Sequence, residues 1–289
     1  MTEIVGGSFA EVWKQLIKEL ITANSVKTRD MDTRELVNVH LSIADPLQNV
    51  LVNKIRAPNY RFMVAEWLWI WFGHDDVKTI VPYNKNIGAF SDDGVTFAGN
   101  YGKPLIEQWD RVRMRLLDDH HSRQAIIQIF RHTEQRTVDV PCTLSIQFLI
   151  RGERLCTIIN MRSSDVWLGL PYDTFNFSML ANTMAAQLGV RLGWLAYNLG
   201  SSHLYEVNHR AAVDCLYEPI TTLMSPTFDS PPPAWLDRAL IDQELPLHTQ
   251  GNEPWHSYGR ALIAGHSRFA LKELLWLHDS QKNGTSSAL

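Results

Sequence analysis

Three short stretches of this chain carry residue types that do chemistry. The first is DVPCTLSIQF, residues 139–148, with Cys142 directly after Pro141 at the start of a strand-like run. Such a cysteine is either an inert core residue or a nucleophile at a strand end, activated by nearby cations. The second is NMRSSDVWLGLPYD, residues 160–173, where Arg162, Ser163 and Asp165 cluster as strand passes into loop. An arginine beside a hydroxyl suits a phosphate dianion through charge-assisted hydrogen bonds; a plain Arg162–Asp165 salt bridge is the alternative. The third is GSSHLYEVNH, residues 200–209. His203 and Tyr205 stand two apart on an extended chain, so they share a face and can grip a sugar hydroxyl; otherwise they are a satisfied core histidine and a packed tyrosine. His203 and His209 form no metal-ligand pattern, and no metal site is expected.

Asp173 closes the apolar run LGLPYD. A carboxylate inside a hydrophobic segment is costly unless something pairs with it. It either caps a helix over 174–190 or pairs with a bound ligand.

These residues need elements to position them. Ser8 and Glu11 form a capping-box pattern before an apolar stripe at Val12, Leu16, Ile17, Leu20 and Ile21, which predicts a first helix. Residues 26–35 are polar and read as a mobile loop, and 36–43 alternate as a strand. Residues 59–73 are aromatic-rich and predict a buried helix stopped at Gly73; 82–104 look irregular; 105–119 form an amphipathic helix. Strands are expected over 124–131, 143–151 and 154–161, the last two joined by a turn at Gly152-Glu153. A helix over 174–190, a strand over 191–200 and a helix over 207–218 follow. SPPPAW, residues 230–235, is a break before a last helix over 267–279. Strands and helices mix without strict βαβ alternation, so the expected fold class is α+β.

With 289 residues the chain is long enough for a sizeable core. A net charge of −4 gives no bulk attraction to nucleic acid or to a membrane surface. No apolar run is long enough to span a bilayer, and the N-terminus lacks the pattern of a signal peptide. The three cysteines, Cys142, Cys156 and Cys215, give no disulfide framework. A reducing, cytoplasmic compartment is the expectation.

The order and spacing of VPCTLSIQF, NMRSSDVWLGLPYD and GSSHLYEVNH resemble thymidylate synthase and its pyrimidine-nucleotide hydroxymethylase relatives, from about Ser8 to His209. The resemblance implies a mixed sheet with flanking helices, assembled as a homodimer through the sheet faces. It implies one catalytic domain over 1–289, with a divergent C-terminal segment from about 225. Cys142 then matches the nucleophile, and Glu66 the glutamate that manages water and protons. Tyr101 matches a tyrosine close to the nucleophile. Arg162 and Ser163 match phosphate ligands. His203 and Tyr205 match the sugar-hydroxyl ligands, and Asp165 an acid near folate and pyrimidine. Arg29 matches the flexible-loop phosphate arginine, with Arg34 its rival. Arg123 matches an arginine reaching the partner subunit's phosphate site, although the usual second arginine is Gln124 here. Tyr83 or Phe90 stands in for the tryptophan that covers the folate. Thr143 after the cysteine is as in the dCMP hydroxymethylases.

The family's synthases carry asparagine where this chain has Asp173. An amide donates to uracil's carbonyl and accepts from its ring N–H. Cytosine presents the reverse pattern, an amine donor and a ring-nitrogen acceptor, so Asp173 reads as a cytosine selector. The resemblance therefore implies a cytidylate 5-hydroxymethylase acting on dCMP or CMP. Ser163 keeps the deoxynucleotide pattern, a lean toward dCMP. The one-carbon unit would come from 5,10-methylenetetrahydrofolate through a covalent Cys142 adduct, with water quenching the exocyclic methylene. The alternatives are a cytidylate methylase or thymidylate synthase using hydride, and a non-catalytic nucleotide-binding homologue.

Overall fold

The computed structural model describes residues 2–28, 31–131, 137–246 and 254–285. In chain order the elements are β1 (Thr2–Gly6), α1 (Phe9–Ile21), β2 (Ser25–Thr28), β3 (Met31–Ile43), β4 (Gln48–Val52), α2 (Tyr60–Trp71) and α3 (Val77–Ile80). A 3-10 turn at Lys85–Phe90 leads to α4 (Gly102–Asp118), β5 (Ile126–Gln128), β6 (Thr143–Arg151), β7 (Arg154–Met161), β8 (Ser164–Asp165) and α5 (Leu170–Leu188). Then come β9 (Arg191–Tyr205), α6 (Glu206–Cys215), β10 (Thr221–Met224), α7 (Trp235–Asp242), α8 (Pro254–Ile263) and α9 (Ser267–Thr285).

An eight-stranded mixed sheet runs in the order β1-β3-β9-β7-β6-β5, with β2 paired to β3 and β8 to β9. β1–β3 and β7–β9 are parallel, and β3–β9 and β6–β7 antiparallel. The α+β expectation holds. β4 and β10 form a separate two-stranded ribbon.

Local chemistry explains most boundaries. The Ser8 hydroxyl accepts from the Glu11 amide at 3.4 Å, while the Glu11 carboxylate accepts from Gly7 N at 2.7 Å. Asn59 caps α2 by accepting from Phe62 N at 3.1 Å. Gly152 and Glu153 both have φ near +60° (56° and 59°), as a two-residue hairpin turn requires. α5 is buried on nearly all sides, from Thr174 to Ala185, so it lies inside the core rather than on it. Gly189 ends it in the left-handed conformation at φ 65°.

Two expectations change. Residues 26–35 are not a plain loop: β2 and the start of β3 pair there as an antiparallel hairpin, Ser25 to Arg34 and Thr28 to Met31. The helix expected from 174 begins at Leu170, because Pro171 starts a helix well and the preceding turn feeds directly into it. Asp173 therefore lies within the first turn and is not the cap.

The segment beyond residue 225 packs on α2. Trp67 stacks on Phe228 at 5.9 Å and on Trp255 at 6.3 Å, and meets Tyr258 edge-on at 5.2 Å. Arg61 donates to the carbonyls of Leu262 and Pro82 and to Gln243 Oε1, tying α2 to α7 and α8. α1 and α5 cover one face of the sheet. On the other face a hydrogen-bonded row crosses four strands: His40 to Asn198 at 2.9 Å, Asn198 to Asn160 at 2.9 Å, Asn160 to Ser145 at 3.0 Å. Exposed Val5, Val37 and Trp194 flank it.

Candidate active site

One cavity of about 900 Å³ opens where α2, α5, β9 and the segment before β6 meet. Cys142 is half-buried on its wall, and Asp173 shares that wall from the first turn of α5. Glu66, Tyr101, Arg162 and Ser163 line it as well, as do Asp165, His203 and Tyr205. Nine residues singled out in sequence, scattered from 66 to 205, thus converge on one space.

The loop carrying the cysteine is held from two sides. Gly99 N donates to Asp139 Oδ2 at 2.8 Å, and a Cβ on Gly99 would sit 2.5 Å from the Asp139 carbonyl, so only glycine allows this approach. From the other side Arg162 donates through Nε to Pro141 O at 3.0 Å and through Nη2 to Val140 O at 2.7 Å. The Arg162 amide donates to Cys142 O at 2.9 Å. The guanidinium is thereby fixed beside the cysteine, where a cation favours thiolate. The Arg162–Asp165 salt bridge is not the arrangement found. Asp165 Oδ1 accepts instead from the amides of Trp167 at 2.8 Å and Leu168 at 2.9 Å, which shapes the turn into α5.

β9 carries the sugar-site candidates. His203 and Tyr205 point to the same side, their rings edge-on at 5.2 Å. His203 lies between two acids on adjacent strands, opposite Glu35 on β3 and Asp165 on β8. Burial lowers the His203 pKa, opposed by those two carboxylates. Burial raises Asp165, partly offset by its two amide donors and by His203. Ser163 Oγ stands 3.4 Å from His203 Nδ1.

The electrostatics centre on the acids. Burial pushes Glu66 up to about 7, against the donated hydrogen bond from Asn176 Nδ2 at 2.8 Å. Burial holds the Asp173 carboxyl well above the usual carboxylate range, and Glu66 and Asp165 add to the shift. The shift favours the protonated form of Asp173, which can both donate and accept, while Glu66, at about 7, sits at the balance point of a general base. Tyr101 is raised by burial and by the nearby Cys142 and Asp173, so its hydroxyl keeps its proton; it accepts from Thr143 N at 3.3 Å.

Some expected residues stand elsewhere. Tyr83 is buried away from the cavity: its hydroxyl donates to Leu240 O at 2.7 Å and Arg61 covers its ring at 4.2 Å. Its alternative, Phe90, lines the cavity and is 63% exposed. Arg34 is turned from the cavity, paired with Glu206 at 3.0 Å and bound to Ala23 O, because its neighbours Thr33 and Glu35 take the cavity side of β3. Arg29 lies outside the described residues. Arg123 is exposed in the turn before β5, away from this chain's cavity.

Three lining residues had no sequence signal of their own. Arg56 donates to the carbonyls of Trp167 and Leu168 and lies over the rings of Trp167 and Tyr172, at 5.8 and 5.5 Å. It grips the carbonyls of the same turn whose amides hold Asp165. Glu35 accepts from Ser201 Oγ at 2.5 Å. Asn176, one turn beyond Asp173, was hidden in a run read only as helix.

Half-buried acids, a half-buried cysteine and a guanidinium fixed by two backbone carbonyls thus share one cavity. A family model for thymidylate synthase matches residues 11–223, and the chain belongs to that family. Among its relatives, the deoxyuridylate hydroxymethyltransferase of Bacillus phage SP01 is 30% identical over 225 residues, 71% of this chain and 58% of that protein. The deoxyuridylate hydroxymethyltransferase of Delftia phage PhiW-14 is 26% identical over 217 residues, 69% of this chain and 61% of that protein. A putative thymidylate synthase of Methanothermobacter marburgensis is 28% identical over 233 residues, 74% of this chain and 97% of that protein. The chain thus spans about three fifths of the phage relatives' length. Among the described residues no helix is long and apolar enough to cross a membrane, and no cluster of acids, histidines or cysteines could hold a metal ion.

Proposed function

We propose that this protein is a cytidylate 5-hydroxymethylase, acting on dCMP or CMP. The observation that carries the reading is Asp173: an acid sharing one cavity with Cys142, its pKa raised toward the protonated form by desolvation and by the neighbouring carboxylates. Its carbonyl oxygen accepts from the cytosine amine and its hydroxyl donates to the ring nitrogen, so both edge positions pair. A neutral acid can also pair with uracil by moving its proton to the other oxygen. The discrimination therefore lies in the chemistry. When the thiolate of Cys142 adds to carbon 6, negative charge develops toward the ring nitrogen, and Asp173 delivers a proton there. Cytosine's ring nitrogen is a base and takes that proton readily; uracil's carbonyl oxygen is a far poorer one.

The remaining roles follow from position. Arg162, fixed beside the cysteine, favours the thiolate and, with Ser163, faces the phosphate; the resemblance adds Arg29 to the phosphate ligands. His203 and Tyr205 hold the sugar hydroxyl. Tyr101 keeps its proton beside the thiol and the acid. The cavity's volume and the apolar lining residues Ile87 and Phe90 suit a pteridine ring, with Asp165 on the same wall. Bound there, 5,10-methylenetetrahydrofolate would supply the one-carbon unit. Glu66, poised near neutrality, takes the proton from the water that finishes the reaction. The open sheet face, with its polar row and exposed Val37 and Trp194, is the surface through which two copies would pair, bringing Arg123 to the partner's phosphate site.

A second reading has support in the names of the phage relatives, which act on deoxyuridylate; the archaeal relative's name points to a hydride quench. Release of the carbon-5 proton from labelled dCMP, CMP and dUMP, with and without methylenetetrahydrofolate, separates these readings. Folate-dependent release from a cytosine nucleotide is expected. Preferential release from dUMP would overturn the base assignment, and no release from any would leave a binding homologue.

A further inference from the structure

Glu66 on α2 and Asn176 on α5 meet across the cavity wall. Asn176 is only 2% exposed, yet it lines the cavity. Its Nδ2 donates to Glu66 Oε2 at 2.8 Å. With Glu66 ionised, the form a general base must take, the carboxylate can only accept, and the amide nitrogen is the end that faces it. The other end, Oδ1, is buried and has no partner within the protein. A buried amide oxygen without a donor costs stability, and native folds rarely keep one without a use.

The missing donor can be narrowed by chemistry. The pyrimidine's own edge is engaged by Asp173, one helical turn earlier on α5. The sugar-site residues stand on β9 and the phosphate-site residues in the turn after β7. A ligand that reaches this oxygen from the cavity needs two hydrogens to give, one to the Asn176 amide oxygen and one to the Glu66 carboxylate. Resting on the hydroxymethylase reading, we propose that Asn176 is the positioning residue for the attacking water, holding it jointly with Glu66 and so setting whether water or hydride completes the reaction.

The step balances without any further reactant. The water oxygen bonds to the exocyclic methylene carbon, and its proton passes to Glu66. The exocyclic double-bond pair moves into the ring between carbons 5 and 6, and the bond from carbon 6 to the Cys142 sulfur breaks, returning the thiolate. An amide oxygen that fixes the water's second hydrogen aims the oxygen lone pair at that carbon. A hydride quench has no use for it.

The test separates the two halves of the reaction. Asn176→Ala and Asn176→Ser are compared with wild type for carbon-5 proton release and for hydroxymethyl product by mass. In Asn176→Ala, product per proton released is expected to fall about tenfold or more, the size of a lost positioning contact, while proton release stays within about threefold. Methylated product or trapped covalent adduct should rise in compensation. Asn176→Ser, which keeps an oxygen at the site and the smaller packing change, should fall between. Loss of the donated hydrogen bond should also move the Glu66 limb of the pH profile upward. If product and proton release decline in parallel in both variants, with the pH limb unmoved, Asn176 is only a packing residue and the inference fails. If wild type itself releases no carbon-5 proton, or yields only methylated product, the hydroxymethylase reading fails instead.

Discussion

Replacing Asp173 by asparagine should cost catalysis on cytosine while sparing the fold. Asp173 is half-buried beside Glu66 and Asp165, and desolvation together with those two carboxylates raises its pKa. Asparagine has the same size and matches the protonated acid in charge, so the exchange opens no void. The melting temperature should hold within a few degrees. An amide still donates and accepts, so the KM for a cytosine nucleotide should change only a few-fold. It cannot, however, deliver a proton to the ring nitrogen as the thiolate adds. Loss of a positioned general acid is worth about 10²–10⁴ in rate, or about 3–5 kcal/mol of barrier. The same amide suits uracil, so the dUMP rate should hold or rise and the base preference should reverse. Steady-state carbon-5 proton release from labelled dCMP, CMP and dUMP reads each value. Unchanged kcat on cytosine nucleotides in a well-folded variant would refute the proton-delivery argument; a defect confined to KM would reduce Asp173 to ground-state recognition.

Other expectations are simpler. Cys142→Ser should abolish carbon-5 proton release and any covalent adduct seen by intact mass, with nucleotide binding retained. Glu66→Gln should remove the activity limb near pH 7, because the fold holds the Glu66 pKa at about 7. The sign for stability follows: the folded state keeps a proton that the unfolded chain loses near 4.5, so stability falls as pH rises between those values, by about 3 kcal/mol in total. Urea unfolding at about pH 5 and about pH 8 should show that slope reduced in the variant, Asp165 and Asp173 retaining their part. Arg56→Ala frees the carbonyls of Trp167 and Leu168, and should lower the melting temperature by about 4–8 °C for about 2 kcal/mol lost; it should also raise the KM for substrates held by the Asp165 turn. Arg123→Ala alone should lose activity, and mixing it with Cys142→Ser protein should recover activity if Arg123 serves the partner's site, since each hybrid dimer then holds one complete site; no recovery would place Arg123 in its own subunit's site, and full activity of Arg123→Ala alone would place it outside catalysis.

The motifs were legible because Cys142, Arg162 and His203 sit at strand ends, where the spacing of a strand fixes their facing. Helix α2 was readable from its aromatic density and α5 from its closing glycine. The hairpin over 25–34 was not, because its β2 residues are exposed and offer no hydrophobic alternation. Tyr83 and Phe90 could not be ranked from sequence; only the packing of α7 on the loop after α3 shows that Tyr83 is consumed by Leu240 and Arg61. Arg56 and Asn176 carry no pattern of their own. Each matters through a partner more than a hundred residues away, Trp167 for one and Glu66 for the other, and that is tertiary information. The family match stops at residue 223, yet the residues beyond supply Trp255 and Tyr258 to the aromatic packing behind Glu66's helix.

The central claim is that a half-buried acid at 173 directs a Cys142 adduct onto cytosine and that water ends the reaction. The most direct measurement offers CMP, dCMP and dUMP together with methylenetetrahydrofolate and identifies the products by mass. A cytosine nucleotide gaining a hydroxymethyl group is the predicted result. A modified uracil nucleotide as the main product, or a methyl group in place of the hydroxymethyl, would contradict it.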